Sequence, residues 1–262
     1  MDAQALMAAR QEALAGAVDL APALSELRRA ADKALQVGPF SVVNKTGTPP
    51  DGDRRQYMSL GSYWWPNPDT SGGLPYVRRD GQRNPEGNGT YYDDLTLSRM
   101  VNAVDTLALA YYLTGTQTYA DHAARLVQAW FLDESTRMNP NMRYAQIIPG
   151  RPQERGGGII DSRGFMRVVD AVGLLTGSPS WTAGDQEALQ AWFGQLLSWL
   201  RESPQGQMES RATNNHGSWY DAQVVCYALF TGQGDIAAQM VAKSTKARIA
   251  SQVAPDGRQP EE

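Results

Sequence analysis

Leu97-Ser98-Arg99-Met100-Val101-Asn102-Ala103-Val104-Asp105-Thr106-Leu107-Ala108-Leu109-Ala110-Tyr111-Tyr112-Leu113-Thr114-Gly115 is the stretch that decides the fold. Leu97, Met100, Val101, Val104, Leu107 and Tyr111 recur at the i, i+3, i+4, i+7 spacing of one helical face. Gly115 then supplies the residue that commonly ends a helix in the left-handed conformation. The same ending returns as Leu175-Thr176-Gly177 and Phe230-Thr231-Gly232, and another helical stretch follows each time. The three glycines stand 62 and 55 residues apart, about the length of two helices with their loops. Stacked helical hairpins of the α/α toroid type are the architecture this repeat supports.

Six further stripes have helical spacing. They are Leu20, Leu24, Leu27, Ala31 and Leu35; Tyr119, Ala123, Leu126, Val127 and Trp130; Phe165, Val168, Val169 and Val172; Leu189, Trp192, Phe193, Leu196 and Leu200; Ala222, Val225, Cys226 and Leu229; and, more weakly, Ile236, Met240 and Ile249. No run alternates with period two for long enough to make a sustained strand. Residues 38–91 and 133–161 are rich in Pro, Gly, Asp and Asn and resist helix assignment. Loops of such length are usually functional or disordered. These contain Tyr63-Trp64-Trp65-Pro66 and Tyr91-Tyr92, and disordered segments are poor in aromatics. They are read as ordered loops over a binding surface, in one domain spanning residues 1–262.

The chain is 42% hydrophobic, enough for a substantial core, and its net charge is −4 without a basic block, so nucleic acid is not an expected partner. No stretch approaches the ~18 apolar residues of a membrane span. The N-terminus lacks a basic region followed by an apolar core, so no signal peptide is visible. The single cysteine, Cys226, lies in a helical run and is read as core packing. It and the distant His122 and His216 make no zinc set, and there is no glycine-rich phosphate loop. Neither a metal nor a cofactor is expected.

The chemistry concentrates in Asn214-Asn215-His216-Gly217-Ser218-Trp219-Tyr220-Asp221. Amides can hydrogen-bond and neutralise a carboxylate, imidazole can move a proton, and aromatic rings can stack on sugar faces. That set suits proton abstraction beside a carboxylate, as in the β-elimination of uronic-acid polymers. The same residues can also cap a helix, since Asn is a strong N-cap. Capping and catalysis are compatible, because a helix start presents a side chain rigidly. Tyr63, Trp64 and Trp65 form a candidate sugar-stacking wall, with one or two of the three facing ligand and the others pinning the loop. Arg78-Arg79-Asp80-Gly81-Gln82-Arg83 gives an acidic chain a local positive patch, or a solvated turn. Tyr144, Gln146 and Arg163 are further polar candidates, Asp161 or Ser162 is expected to cap the helix that follows, and His122 is expected at the surface or behind the site.

Tyr57-Met58-Ser59-Leu60 with Tyr63-Trp64-Trp65-Pro66-Asn67-Pro68, then Gly73-Leu74-Pro75-Tyr76 with Arg78-Arg79-Asp80-Gly81, then Arg137-Met138-Asn139-Pro140-Asn141 with Tyr144-Ala145-Gln146, and finally Asn214-Asn215-His216-Gly217 with Trp219-Tyr220-Asp221 resemble, in that order, the alginate lyase domain family. Within it they look most like polysaccharide lyase family 38, which includes alginate and glucuronan lyases. The likeness runs from about residue 25 to the end. It implies an α/α toroid, export to the periplasm or beyond, no obligatory metal, and an anionic uronic-acid polysaccharide as substrate. It implies that Asn215 neutralises the C6 carboxylate and that His216 is the partner or base. Tyr63, Trp64, Trp65, Tyr144, Gln146, Arg163, Asn214 and Trp219 are implied or candidate substrate contacts. In the family a tyrosine delivers the proton to the leaving O4. It serves as base as well where the C5 proton and O4 lie on one side, and the histidine is the expected base where they do not. That tyrosine, and an arginine before it, are expected just beyond Gln259-Pro260-Glu261-Glu262, with later helices of an incomplete barrel. On that expectation the chain is C-terminally truncated. Two other functions compete: a non-catalytic uronate-binding remnant, and a toroid glycoside hydrolase using a pair of carboxylates such as Asp161 and Asp221.

Overall fold

The structure, a computed structural model, describes residues 2–152 and 155–260. The chain divides into two compact units. The first comprises Met1–Ser41, Thr96–Arg137 and Gly164–Leu189, and the second Val42–Leu95, Met138–Arg163 and Gln190–Glu262.

Helices α1 (Ala3–Leu14), α2 (Ala21–Ala34), most of α3 (Asp94–Thr114), α4 (Gln117–Phe131), α5 (Phe165–Leu174) and the start of α6 (Ala183–Glu202) make the first unit. The α3 and α4 stripes are its core: Met100, Val104, Leu107, Leu126, Val127 and Trp130 are fully buried. Phe131 meets Phe165 edge-on, with ring centroids 5.2 Å apart. Truncating one such ring to alanine typically costs ~3–5 kcal/mol. Gly115 and Gly177 both have positive φ, as does Gly232 in the second unit, so all three glycine endings are left-handed helix stops. Helix α1 has no buried residue, which is why no stripe announces it. Alanine-rich propensity and the Asp2 cap, which accepts from Gln4 and Ala5, support it instead.

The second unit contains the rest of α6, α7 (Pro204–Glu209), α8 (Asn215–Phe230), α9 (Gly234–Gln239), a π turn over Met240–Thr245, and α10 (Lys246–Gln252). It also holds β1 (Met58–Leu60), β2 (Trp64–Trp65), β3 (Val77–Arg78) and β4 (Tyr144–Ile147). The strands make two small sheets, a parallel β1–β4 pair and an antiparallel β2–β3 pair. Their length, two to four residues, explains why no period-two signal is visible. Lys45 is buried beneath β1. Its ammonium donates to the carbonyls of Val42, Arg54 and Gln56 and pairs with Asp93 at 3.1 Å. The first long loop is therefore anchored by a buried polar centre, and the apolar cluster of Met58, Leu60, Tyr92 and Tyr144 ties it to the second.

Helix α8 departs from its expected face. It buries Tyr220, Asp221, Gln223, Val224 and Tyr227, whereas Leu229 is 62% exposed and Cys226 only partly covered. Two polar side chains occupy the buried face because each has a partner: Asp221 pairs with Arg248, and Gln223 accepts from Ser162. Ile249, in the weakest stripe, is also exposed. Among the described residues, no helix is long and apolar enough to cross a membrane, and no group of three His, Cys, Asp or Glu could hold a metal ion.

Candidate active site

A cleft of about 690 Å³ opens in the second unit, lined by residues of both long loops and of the start of α8. The β1–β4 pairing builds one wall. Met58 stands opposite Tyr144 and Leu60 opposite Ile147, so β4 carries one residue more than β1 over the same span. The irregularity falls beside Gln146, whose φ is +50°, a left-handed conformation uncommon outside glycine. Three groups hold it there. Its N–H donates to Ser59 Oγ at 2.7 Å, its carbonyl accepts from Arg155 at 3.0 Å, and its amide donates to Asp161 Oδ1 at 2.8 Å. Backbone strain maintained in this way is a hallmark of functional positions.

Asp161 also accepts from Ser59 Oγ at 2.6 Å and Tyr57 at 3.1 Å. Burial pushes its carboxyl up to about 6, although these hydrogen bonds favour the charged form. It does not cap a helix, and neither does Ser162. Residues Gly157–Gly164 form a 3-10 turn, and α5 starts at Phe165, with Gly164 in the cap position and no side-chain cap. The two oxygens expected to cap are used laterally, by Gln146 and Gln223.

At the start of α8 the capping and reacting roles separate. Asn214 is the cap, its Oδ1 accepting from the His216 N–H at 3.2 Å. Asn215, one residue on, presents its amide to the cleft with no hydrogen-bond partner among the described residues. His216 Nδ1 lies 2.8 Å from Glu209 Oε1, and Glu209 is 3% exposed. A carboxylate only accepts, so Nδ1 carries the proton and Nε2 is the nitrogen able to take one. Glu209 was not anticipated from sequence. It ends a six-residue helix with no distinctive motif, and only the turn that follows returns the chain to it.

Tyr63, Trp64, Gln146, Arg163, Asn214, Asn215, His216 and Trp219 all line the cleft. Trp65 and Tyr144 do not. The Trp65 indole donates to the Gln82 carbonyl at 2.9 Å and stacks under Arg79, pinning the β2–β3 hairpin. Tyr144 is buried with Met58, Leu60 and Tyr92. Alternation along a strand sends neighbouring side chains to opposite faces, so Trp64 faces the cleft while Trp65 does not. Arg78, Arg83, Arg155 and Arg163 line the cleft beside Asp94, Asp161 and Glu209, one more cation than carboxylate. Burial, and then the neighbouring Arg78, lower the Arg155 guanidinium. The guanidinium of Arg151 lies 4.8 Å from the Trp64 ring centroid, and Arg163 stands 5.9 Å from that of Trp219. His122 belongs to the first unit, where its Nε2 is 2.8 Å from the Val37 carbonyl oxygen.

Residues 41–262 match the sequence profile of the family described as alginate lyase. The chain belongs to the alginate lyase family. A crystal structure of an alginate lyase from Bacteroides ovatus is 43% identical and superposes with a TM-score of 0.94, covering 99% of this chain and 68% of that one. The fold is therefore that of the lyase, in agreement with the expected all-α toroid of helical hairpins. No curated protein sequence matches the chain. Membership makes the chain a polysaccharide lyase. Glu261 and Glu262, the end of the last family-like segment, lie outside the described residues.

Proposed function

We propose that the chain cleaves a 1,4-linked polyuronate, alginate or glucuronan, by β-elimination in this cleft. The observation that carries the reading is the contact between His216 and the buried Glu209, next to an Asn215 amide that has no hydrogen-bond partner among the described residues. Asn215 and the arginines of the lining stabilise the charge that develops on the C6 carboxylate as the C5 proton leaves. His216 takes that proton at Nε2 where its side of the ring is presented. The C5–H electron pair becomes the C4–C5 double bond, the C4–O4 bond breaks, and O4 departs with a proton. The family resemblance assigns that second proton to a tyrosine. Tyr220 and Tyr227 do not serve, being buried, bonded to the carbonyls of Leu200 and Ser162, and pushed up by burial, Tyr220 to about 12.

The hydrolase alternative loses its proposed pair, because Asp221 is engaged by Arg248 and does not line the cleft. The distinguishing experiment incubates the full-length protein and its His216→Ala variant with polymannuronate, polyguluronate and glucuronan. Elimination generates an unsaturated, ultraviolet-absorbing sugar end, and hydrolysis does not. Strong unsaturated product from the parent and little from the variant is expected. Near-normal product from the variant on all three polymers would refute the assignment, and saturated ends would favour a hydrolase. Export to the periplasm or beyond is part of the same proposal, and cell fractionation tests it.

A further inference from the structure

Two side chains outside the cleft take hold of the turn that carries the reacting residues. Arg248 and Gln252 lie four residues apart, on one face of α10. Arg248 donates from Nη2 to the Ser210 carbonyl at 2.8 Å and from Nη1 to the Ala212 carbonyl, and pairs through Nε with Asp221 Oδ2 at 2.9 Å. Gln252 donates to the carbonyls of Thr213 and Asn214 at 2.7 and 2.8 Å, and its Oε1 accepts from Ser218 at 2.8 Å. Four carbonyls between Glu209 and Asn215 thus rest on one short helix. Gly217 makes the approach possible, because a β-carbon there would fall within the Arg248 guanidinium and against the Ala212 carbonyl oxygen. The π turn Met240–Thr245 immediately precedes α10. The residue it inserts rotates the following helical face, a device frequent near functional sites.

We propose that Arg248 and Gln252 are positioning residues for elimination: a clamp that fixes the 210–214 turn so that Asn215 faces the cleft and His216 stays against Glu209. Neither residue lines the cleft, so each acts through the turn and not on the substrate. Arg248 is itself held, since Asp221 neutralises it in a site where its side chain is 11% exposed and that of Asp221 3%. The proposal rests on the reading of Asn215 and His216 as the reacting pair.

The test uses Gln252→Met, which keeps length and removes the hydrogen bonds, and Arg248→Lys, which keeps the charge and loses the fork. Both are measured beside His216→Ala in the full-length protein, with kcat, KM and the melting temperature read separately. A displacement of about an ångström can cost ~10²-fold. The expected result for Gln252→Met is therefore a fall in kcat of ~10–100-fold, with KM and melting little changed. Arg248→Lys, whose single ammonium cannot reach the Ser210 and Ala212 carbonyls and Asp221 together, is expected to lose kcat in the same way, with KM little changed. An unchanged kcat in Gln252→Met while His216→Ala is inactive overturns the clamp and leaves the site reading standing. So does a loss that merely follows the unfolded fraction. Near-normal activity of His216→Ala overturns the site reading itself.

Discussion

His216 Nδ1 and Glu209 Oε1 are 2.8 Å apart, and the Glu209 side chain is almost wholly buried. The two residues are seven apart in sequence, on successive helices, and the turn between them closes the pair. The carboxylate fixes both the ring orientation and the tautomer.

Glu209 should therefore matter to rate more than to binding. Glu209→Ala is expected to lower kcat on the preferred polyuronate by ~10²–10⁴-fold, the range for losing an organised general base. Glu209→Gln retains an acceptor for Nδ1–H and should lose less. Steady-state kinetics of the two variants check this, and equal losses would mean that the charge, not the orientation, is what counts.

Asn214 and Asn215 should separate cleanly. Asn215→Ala is expected to cost ~10²–10³-fold in kcat, the usual effect of removing one preorganised donor, with little change in melting. Asn214→Ala removes the α8 cap and should cost ~1 kcal/mol of stability. Denaturant titration and kinetics on the same preparations decide it. Matching profiles for the two variants would contradict the division of roles.

The adjacent tryptophans make a similar contrast. Trp64→Ala should weaken oligouronate binding, because Trp64 lines the cleft beneath Arg151 and Arg155. Trp65→Ala should mainly destabilise the β2–β3 hairpin, through loss of the Gln82 bond and the Arg79 contact. Isothermal titration with saturated oligosaccharides, paired with melting curves, reads both. Unaltered affinity in Trp64→Ala would remove that ring from the binding surface.

Asp161 gives the pH dependence a sign. Its unfolded carboxyl titrates near 3.9, and burial raises it in the folded chain to about 6. Between those values the native chain keeps a proton that the unfolded chain has released. The stability it contributes is present in full below about pH 4 and is lost as the pH rises through about 6. Asp161→Asn should abolish that slope, so the parent should lose on the order of 2 kcal/mol relative to the variant between pH 4 and 7. Urea unfolding across the range measures it. Parallel pH dependences would show that Asp161 does not titrate as stated.

The sequence by itself determined the helices whose apolar faces are long and periodic. The stripes at Leu97–Leu107, Tyr119–Trp130 and Leu189–Leu200 are buried as spaced, because burial of a regular face leaves a regular pattern, and only Tyr111 at the end of the first is partly exposed. It also determined the three glycine stops and the ordered character of the aromatic loops, and it named Asn214, Asn215, His216, Trp64 and Gln146 as candidates, which the tertiary structure brings to one cleft. Tertiary structure alone decided which face of α8 is buried, since Asp221 and Gln223 are stable inside only with Arg248 and Ser162 as partners. It likewise decided that Trp65 and Tyr144 turn away from the cleft, and that Glu209 stands behind His216. A two-residue strand, a β-bulge and a buried ion pair leave no period in the chain. Their energies come from contacts between residues far apart in sequence, and those contacts exist only once the fold has formed.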